Sequence, residues 1–436
     1  DTEGMAWALV GEAGWEPAIS RDPAKMIPSN GAGELLSSFS REVISGSIVH
    51  YSAIVRTGPG PYDQIGIHRV VKESRPFRPI HTRKALFLQH GASMGFVGVF
   101  APGLCTSHMP RDFGIAPYLA EHNLDVWGIT QSWYLVPAEE INFDFMADWG
   151  IPHDVQNIEV AVAIARLSRW ITGDGLDKML LLGYSYGAQL GYALLDGEAQ
   201  RSPACRQIRA FIPMDMAVKT DVEEYQQFFC DYGEYAQAGY AAGQYNDDAY
   251  FRPIGLRARD QPDEESPFIP GFTNLQVALY FGAAVGFPPT VHFLAGEWDG
   301  EIPTGLQYVS VPAWIDFLCA ASPHESMRVS VDQCLQICDD AVPWDDHLAE
   351  VTVPVFYIGA RGGMGDLGLV TLDFLGSSDV SSLIVGTHPP EEVLIDFAHI
   401  DMSLGYNAPE LVWEPIHEWV VAHSPGGREP VETLTA

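Results

Sequence analysis

The stretch Met179-Leu180-Leu181-Leu182-Gly183-Tyr184-Ser185-Tyr186-Gly187-Ala188-Gln189-Leu190 decides the fold. Four consecutive apolar residues suit a strand buried on both faces. Ala188, Gln189, Leu190 and the residues that follow suit a small-residue helix. Between them stands Gly-x-Ser-x-Gly, which reads as strand, sharp turn, helix. A serine on such a turn is held exposed at the C-terminal edge of a sheet, above the start of a helix. The flanking glycines suit a strained backbone and leave room for a substrate.

Outward from this turn, short apolar runs alternate with helical patterns. Strands are predicted at 47–55, 64–71, 84–89, 124–129 and 208–214, with a turn cluster at 57–61. Helices are predicted at 117–122 and 155–171, the latter with apolar residues at helical spacing and Asp154 placed to cap its start. Strands alternating with helices imply a parallel α/β architecture. The alternation stops at 218 and returns at a buried strand over 353–359. A further strand is expected at 392–396 and a closing helix at 409–421. The domain reading is an N-terminal arm over 1–44, a core over 45–217, a mainly helical insertion over 218–348 containing a polar loop at 257–270, and a second core part over 349–436.

Composition narrows the function classes. The chain has 436 residues, of which 47% are hydrophobic and 19% charged, enough for one large domain with insertions or for two. Its 57 acidic against 24 basic residues give a formal charge of −33. Such a surface repels phosphate backbones and anionic lipids, which argues against nucleic acid or membrane-surface partners. No apolar run reaches the roughly 18 residues that a membrane span requires. The six cysteines are widely scattered, which allows free core thiols or one or two disulfides, and no His/Cys spacing suits a metal. The start at Asp1 and the acidity lead to the expectation of a secreted or periplasmic protein, with the cytoplasm as the alternative.

Acyl transfer by a serine needs a base, an acid that orients it, and N–H donors for the developing oxyanion. Ser185 is the candidate nucleophile. His399, in a loop between the last expected strand and the closing helix, is the candidate base, and His388 is its nearest rival. Asp366, after strand 353–359 in a glycine-rich loop, is the expected acid. Asp215, directly after strand 208–214, is the alternative one strand earlier. The oxyanion donors are expected to be the N–H groups of Tyr186 and of Ala92, the latter in the His90-Gly91-Ala92-Ser93 turn.

His-Gly after one strand, Gly-Tyr-Ser-Tyr-Gly after another and His399 before the last helix resemble the α/β-hydrolase superfamily over residues 45–422. The resemblance implies a mostly parallel eight-stranded sheet with helices on both faces and the insertion as a cap. Superfamily members that open epoxides or displace halide carry aspartate at the turn. Serine there implies instead an acyl-enzyme, with no cofactor and no metal. The leading expectation is hydrolysis of a carboxylic ester of a moderately large apolar small-molecule substrate. The alternatives are C–C hydrolysis of a β-diketone-type compound on the same residues, and a non-catalytic ligand-binding protein on a hydrolase scaffold.

Overall fold

The fold is described from a computed structural model, over residues 36–248, 250–338 and 341–426. Fourteen strands are numbered in chain order. They are β1 Leu36–Ser45, β2 Ile48–Arg56, β3 Gln64–Arg75, β4 Arg78–Pro79, β5 Ala85–Gln89, β6 Asp125–Thr130, β7 Met179–Tyr184, β8 Ile208–Met214, β9 Asn246–Asp248, β10 Gly296–Asp299, β11 Ile302–Leu306, β12 His324–Ser326, β13 Val355–Ala360 and β14 Val380–Val385. The main sheet has the order β1-β2-β3-β6-β5-β7-β8-β13-β14, with β4 paired to β3. From β6 to β14 all neighbours run parallel, and the first strands join them antiparallel. The expected mostly parallel architecture is therefore present, carried to ten strands instead of eight.

The pleat explains why the central strands read as unbroken apolar runs. Every residue of β5, β6 and β7 is buried. Successive side chains point to opposite faces, so Leu180 and Leu182 join one core while Met179 and Leu181 join the other. The first core is closed by the helix Ile115–Glu121, by Val412 and Trp413 of the π turn Pro409–Trp413, and by Ile416 of the last helix, Glu414–His423. The second is closed by the helices Ile151–Ile171 and Tyr186–Ala199, through Ile158, Val162, Ala188 and Leu190.

Several sequence expectations are corrected. Residues 36–45 are not part of an unpatterned arm but form edge strand β1, held by pairing with β2 and by Phe39 stacked on Tyr51. Its serines and charges hid the pattern, and the rest of the arm, 1–35, lies outside the described residues. The strand expected at 392–396 is a 3₁₀ turn, Pro390–Ile395, opened by a proline pair that cannot donate to a ladder. The edge strand lies earlier, at β14, whose half-exposed Ser-rich pattern hid it. Asp154 does not cap its helix, which begins at Ile151 after Gly150. Its carboxylate is buried inside, accepting from Trp133 Nε1 at 3.2 Å and Tyr186 Oη at 3.1 Å.

The stretch 218–348 carries, among its described residues, five helices: Glu223–Ala241, Phe251–Asp260, Asn274–Ala283, Val311–Cys319 and Met327–Ile337. Two small antiparallel pairs, β10 with β11 and β9 with β12, lie among them. The Cys230–Cys338 disulfide closes a separation of 108 residues and ties the first of these helices to the end of the last. Cys105, Cys205, Cys319 and Cys334 are free thiols. Replacing Cys230 and Cys338 together by Ser should cost about 2–5 kcal/mol of unfolding free energy. Urea titration would show this as a lowered midpoint. An unchanged midpoint would mean that packing alone holds the two helices.

Candidate active site

The site is assembled at the C-terminal ends of the parallel strands. Ser185 follows β7 and precedes the helix Tyr186–Ala199, at φ 57° and ψ −128°. A positive φ costs a non-glycine residue of order 1–3 kcal/mol and persists only where the surroundings enforce it. Here the Ser185 N–H donates to the Met214 carbonyl at 2.9 Å, which pins the elbow to the end of β8. Gly187 permits close approach: a Cβ there would lie 2.4 Å from the Gln89 carbonyl oxygen. The elbow is therefore wedged against the end of β5. The turn after β5 also abuts it, since a Cβ on Gly91 would stand 2.9 Å from Ser185 Cβ.

The acid beside His399 is Asp215, not Asp366. His399 Nδ1 donates to Asp215 Oδ2 at 2.6 Å, and Asp215 is fully buried. Asp366 is exposed at the start of the short helix Leu367–Leu372. The glycine-rich loop after β13 serves the buried acid instead. Asp215 Oδ1 accepts from the backbone N–H groups of Ala360 at 2.8 Å, Met364 at 3.1 Å and Gly365 at 3.2 Å. Burying a carboxylate is costly unless donors replace its water, and these three do so while fixing its orientation. Gly363 is required for this cradle, because a Cβ there would meet Asp215 Oδ2 at 2.1 Å.

His399 is 6% exposed and gripped from several sides. Its ring stacks on Tyr184, the residue before Ser185, with centroids 4.9 Å apart, and Tyr184 Oη donates to the His399 carbonyl at 2.7 Å. Its N–H donates to His292 O at 3.3 Å, while Ile400 N–H donates to Phe293 O at 2.7 Å. The loop before it is organised by Asp396, whose Oδ1 accepts from the N–H groups of Thr387, His388 and Phe397. The turn after it is braced by Asp401, which accepts from Ala295 N–H at 2.8 Å and Ala398 N–H at 3.0 Å. Burial pushes the Asp401 carboxyl up to about 7, against the pull of those two donors. The rival His388 lies elsewhere, with its ring between Glu392 and Gln307 at 3.1 Å each.

Tyr186 is the first residue of its helix, where backbone N–H groups have no intrahelical partner. Ala92 is exposed in the turn after β5. The turn is fixed from below by His90: its Nδ1 donates to the Gly91 carbonyl at 2.8 Å and its Nε2 accepts from Gln131 N–H at 3.1 Å. Burial lowers His90 to about 4, so the ring is neutral, as one donor and one acceptor require. Beyond His399, Phe293 begins a group of half-buried phenylalanines from the 218–348 stretch, with ring centroids 5.4 Å from Phe251, 5.5 Å from Phe281 and 6.0 Å from Phe287. Two surface cavities, of about 460 and 570 Å³, contain neither Ser185, Asp215 nor His399. Among the described residues, no group of three or more His, Cys, Asp and Glu could hold a metal ion, and no helix is long and apolar enough to cross a membrane.

The fold matches a solved structure. A protein described as a "putative lipase" from Sulfolobus solfataricus aligns with a TM-score of 0.60 at 16% identity, over 88% of this chain and 99% of that one. The chain has the α/β-hydrolase fold. Looser alignments are found with an esterase from Exiguobacterium antarcticum (TM-score 0.43, 11% identity, 82% of this chain and 95% of that one). The Cif epoxide hydrolase from Acinetobacter nosocomialis aligns similarly (TM-score 0.43, 12% identity, 89% and 90%). No family model matches the sequence, and no curated protein matches it.

Sequence reasoning missed three contributors to this candidate site: Tyr184 as the platform for His399, the loop over 360–365 as a cradle for Asp215, and Phe293 beside the imidazole. The signal for the cradle was the glycine density of Gly359 to Gly365, which suits backbone N–H groups converging on a buried anion. Gly363→Ala should push the Asp215 carboxylate off His399 and cost about 1–3 kcal/mol in urea unfolding. Gly197→Ala, in the helix Tyr186–Ala199 with open space around its missing Cβ, should be neutral or stabilising by up to about 1 kcal/mol. Equal effects of the two would contradict the cradle.

Proposed function

We propose that this chain is a serine hydrolase that cleaves a carboxylic ester of a moderately large apolar substrate through an acyl-enzyme. One observation carries the reading: His399, 2.6 Å from the buried Asp215, stacks on Tyr184, and the next residue is a serine held at positive φ on a strand-to-helix elbow. With Nδ1 committed to Asp215, His399 Nε2 is the nitrogen left to take the Ser185 hydroxyl proton. The serine oxygen then attacks the ester carbonyl carbon. The oxyanion forms where the N–H groups of Tyr186 and Ala92 converge, each such donor contributing about 3 kcal/mol to the transition state. Protonated His399 gives its proton to the leaving alcohol. Water, deprotonated by the same imidazole, releases the acid and restores Ser185. Asp215 keeps the imidazole in the needed tautomer and stabilises the imidazolium. No step calls for a metal or a cofactor.

The apolar substrate class is supported by Phe293, half-buried next to the imidazole, and by the phenylalanines packed on it, where an acyl or alcohol chain would lie. An oxidising compartment, outside the cytoplasm, is supported by the Cys230–Cys338 disulfide.

Hydrolysis of p-nitrophenyl esters tests the assignment. Ser185→Ala is expected to remove turnover. Asp215→Asn should lower kcat by about 10⁴-fold through the wrong imidazole tautomer, and Asp366→Asn should leave it unchanged. Full activity in Ser185→Ala would refute the nucleophile, and a large loss in Asp366→Asn alone would return the acid to the later strand.

A further inference from the structure

The turn that carries Ala92 is gripped from above as well as from below, and the upper grip comes from the 218–348 stretch. Ser93, the next residue, is buried and adopts a φ of 62°. Its carbonyl accepts from Ser322 N–H at 2.7 Å, and its hydroxyl donates to Glu325 Oε1 on β12. The segment that supplies these contacts is itself rigid. Ser322 Oγ donates to the His324 carbonyl at 2.6 Å and accepts from His324 N–H at 3.2 Å, while the His324 ring reaches the Pro137 carbonyl at 2.9 Å. Tyr134, whose ring lies against Gly95, bonds to the Ala320 carbonyl at 2.9 Å. The turn over 91–95 is therefore bracketed by the segment 320–325.

Glu325 is a costly residue to keep there. It stands directly opposite Asp247 in the β9–β12 ladder, and like charges in that register repel. Asp247 is itself held by Tyr232 Oη and Ser330 Oγ, at 2.7 Å each. Burial, with Asp247 adding to it, pushes the Glu325 carboxyl up to about 7, against the pull of the Ser93 hydroxyl. A strained, buried serine paired with a disfavoured carboxylate next to an oxyanion donor is the kind of local conflict that collects at functional positions.

We propose that Glu325 is a positioning residue: through the Ser93 hydroxyl it fixes the turn so that the Ala92 N–H faces the oxygen developing on the Ser185 adduct. The insertion then completes the oxyanion site. The inference rests on the serine-hydrolase reading and adds to it a residue distant from Ser185 in the sequence.

The test is a double-mutant cycle on Ser93→Ala and Glu325→Ala, with Glu325→Gln as the conservative variant. Ester kinetics, affinity for an alkylboronic acid that forms a tetrahedral adduct on serine, and thermal unfolding are measured for each. Each alanine variant should lower kcat by about ten- to a hundredfold while KM holds, and boronic acid affinity should fall in parallel. The double variant should lose no more than either single one. Glu325→Gln, which keeps an acceptor for Ser93, should recover most of kcat. Losses that multiply in the double variant, or a rise in KM with kcat intact, would overturn the clamp even where the variants melt like the parent. If an alanine variant fails to fold, Glu325→Gln and Ser93→Gly decide: equal loss of kcat in both would overturn the role of the acceptor, and loss in Ser93→Gly alone would sustain it. Parent protein that neither hydrolyses esters nor reacts at Ser185 with a fluorophosphonate would overturn the underlying reading and the clamp together.

Discussion

The site depends on how a single buried carboxylate is satisfied. Asp215 sits at the end of β8 with no exposure to solvent, and each of its oxygens has a separate duty. Oδ1 collects three backbone N–H groups from the loop after β13, and Oδ2 is reserved for His399. The cost of burying the charge is offset only while all four donors converge. This requirement dictates the glycines of the 359–365 loop, the parallel pairing of β8 with β13, and the position of the segment bearing His399. Asp215 also adopts a φ of 51°, so both the acid and the candidate nucleophile leave their strands through strained backbone. Strain at two adjacent strand ends is tolerable because the sheet beneath is buried on both faces and cannot relax locally.

What could be read from the sequence follows from how local each signal is. The elbow at Ser185 was legible because strand, turn and helix occupy a dozen consecutive residues. The parallel core was legible because each central strand is a continuous apolar run. The carboxylate beside His399 was harder to read because its two candidate slots lie at the ends of neighbouring strands, and sequence does not say which carboxylate turns inward. The glycines that precede Asp366 receive Asp215 instead, a contact between residues about 150 apart. Edge strands β1 and β14 escaped notice because serines and charges break up the apolar pattern of β1, and Ser381 and Ser382 break that of β14. The pairing of Ser93 with Glu325 spans 232 residues and leaves no periodic trace at all.

The 218–348 stretch takes on a more definite character in three dimensions. Its aromatic residues divide between packing and lining. Phe229 and Tyr225 are buried in the core beneath the sheet, whereas Phe293 stands half-buried by His399 with Phe251 and Phe281 packed on it. Its polar residues divide as well, with Asp247 and Ser330 buried behind Glu325 and the exposed Tyr232 donating to Asp247. The disulfide between Cys230 and Cys338 fastens the helices on which this network rests. In this arrangement the hydrogen bonds of the 218–348 stretch end on the turn that carries Ala92 and abuts Ser185.

The central claim is that Ser185, His399, Asp215 and the Tyr186 and Ala92 N–H groups act on one carbonyl. A crystal structure of the protein after reaction with an alkyl fluorophosphonate tests it most directly. The account predicts phosphorus bonded to Ser185 Oγ, the phosphoryl oxygen within hydrogen-bond distance of both N–H groups, His399 still on Asp215, and the alkyl chain against Phe293. An adduct on another residue, or a phosphoryl oxygen turned away from Ala92 and Tyr186 with His399 detached from Asp215, would contradict it.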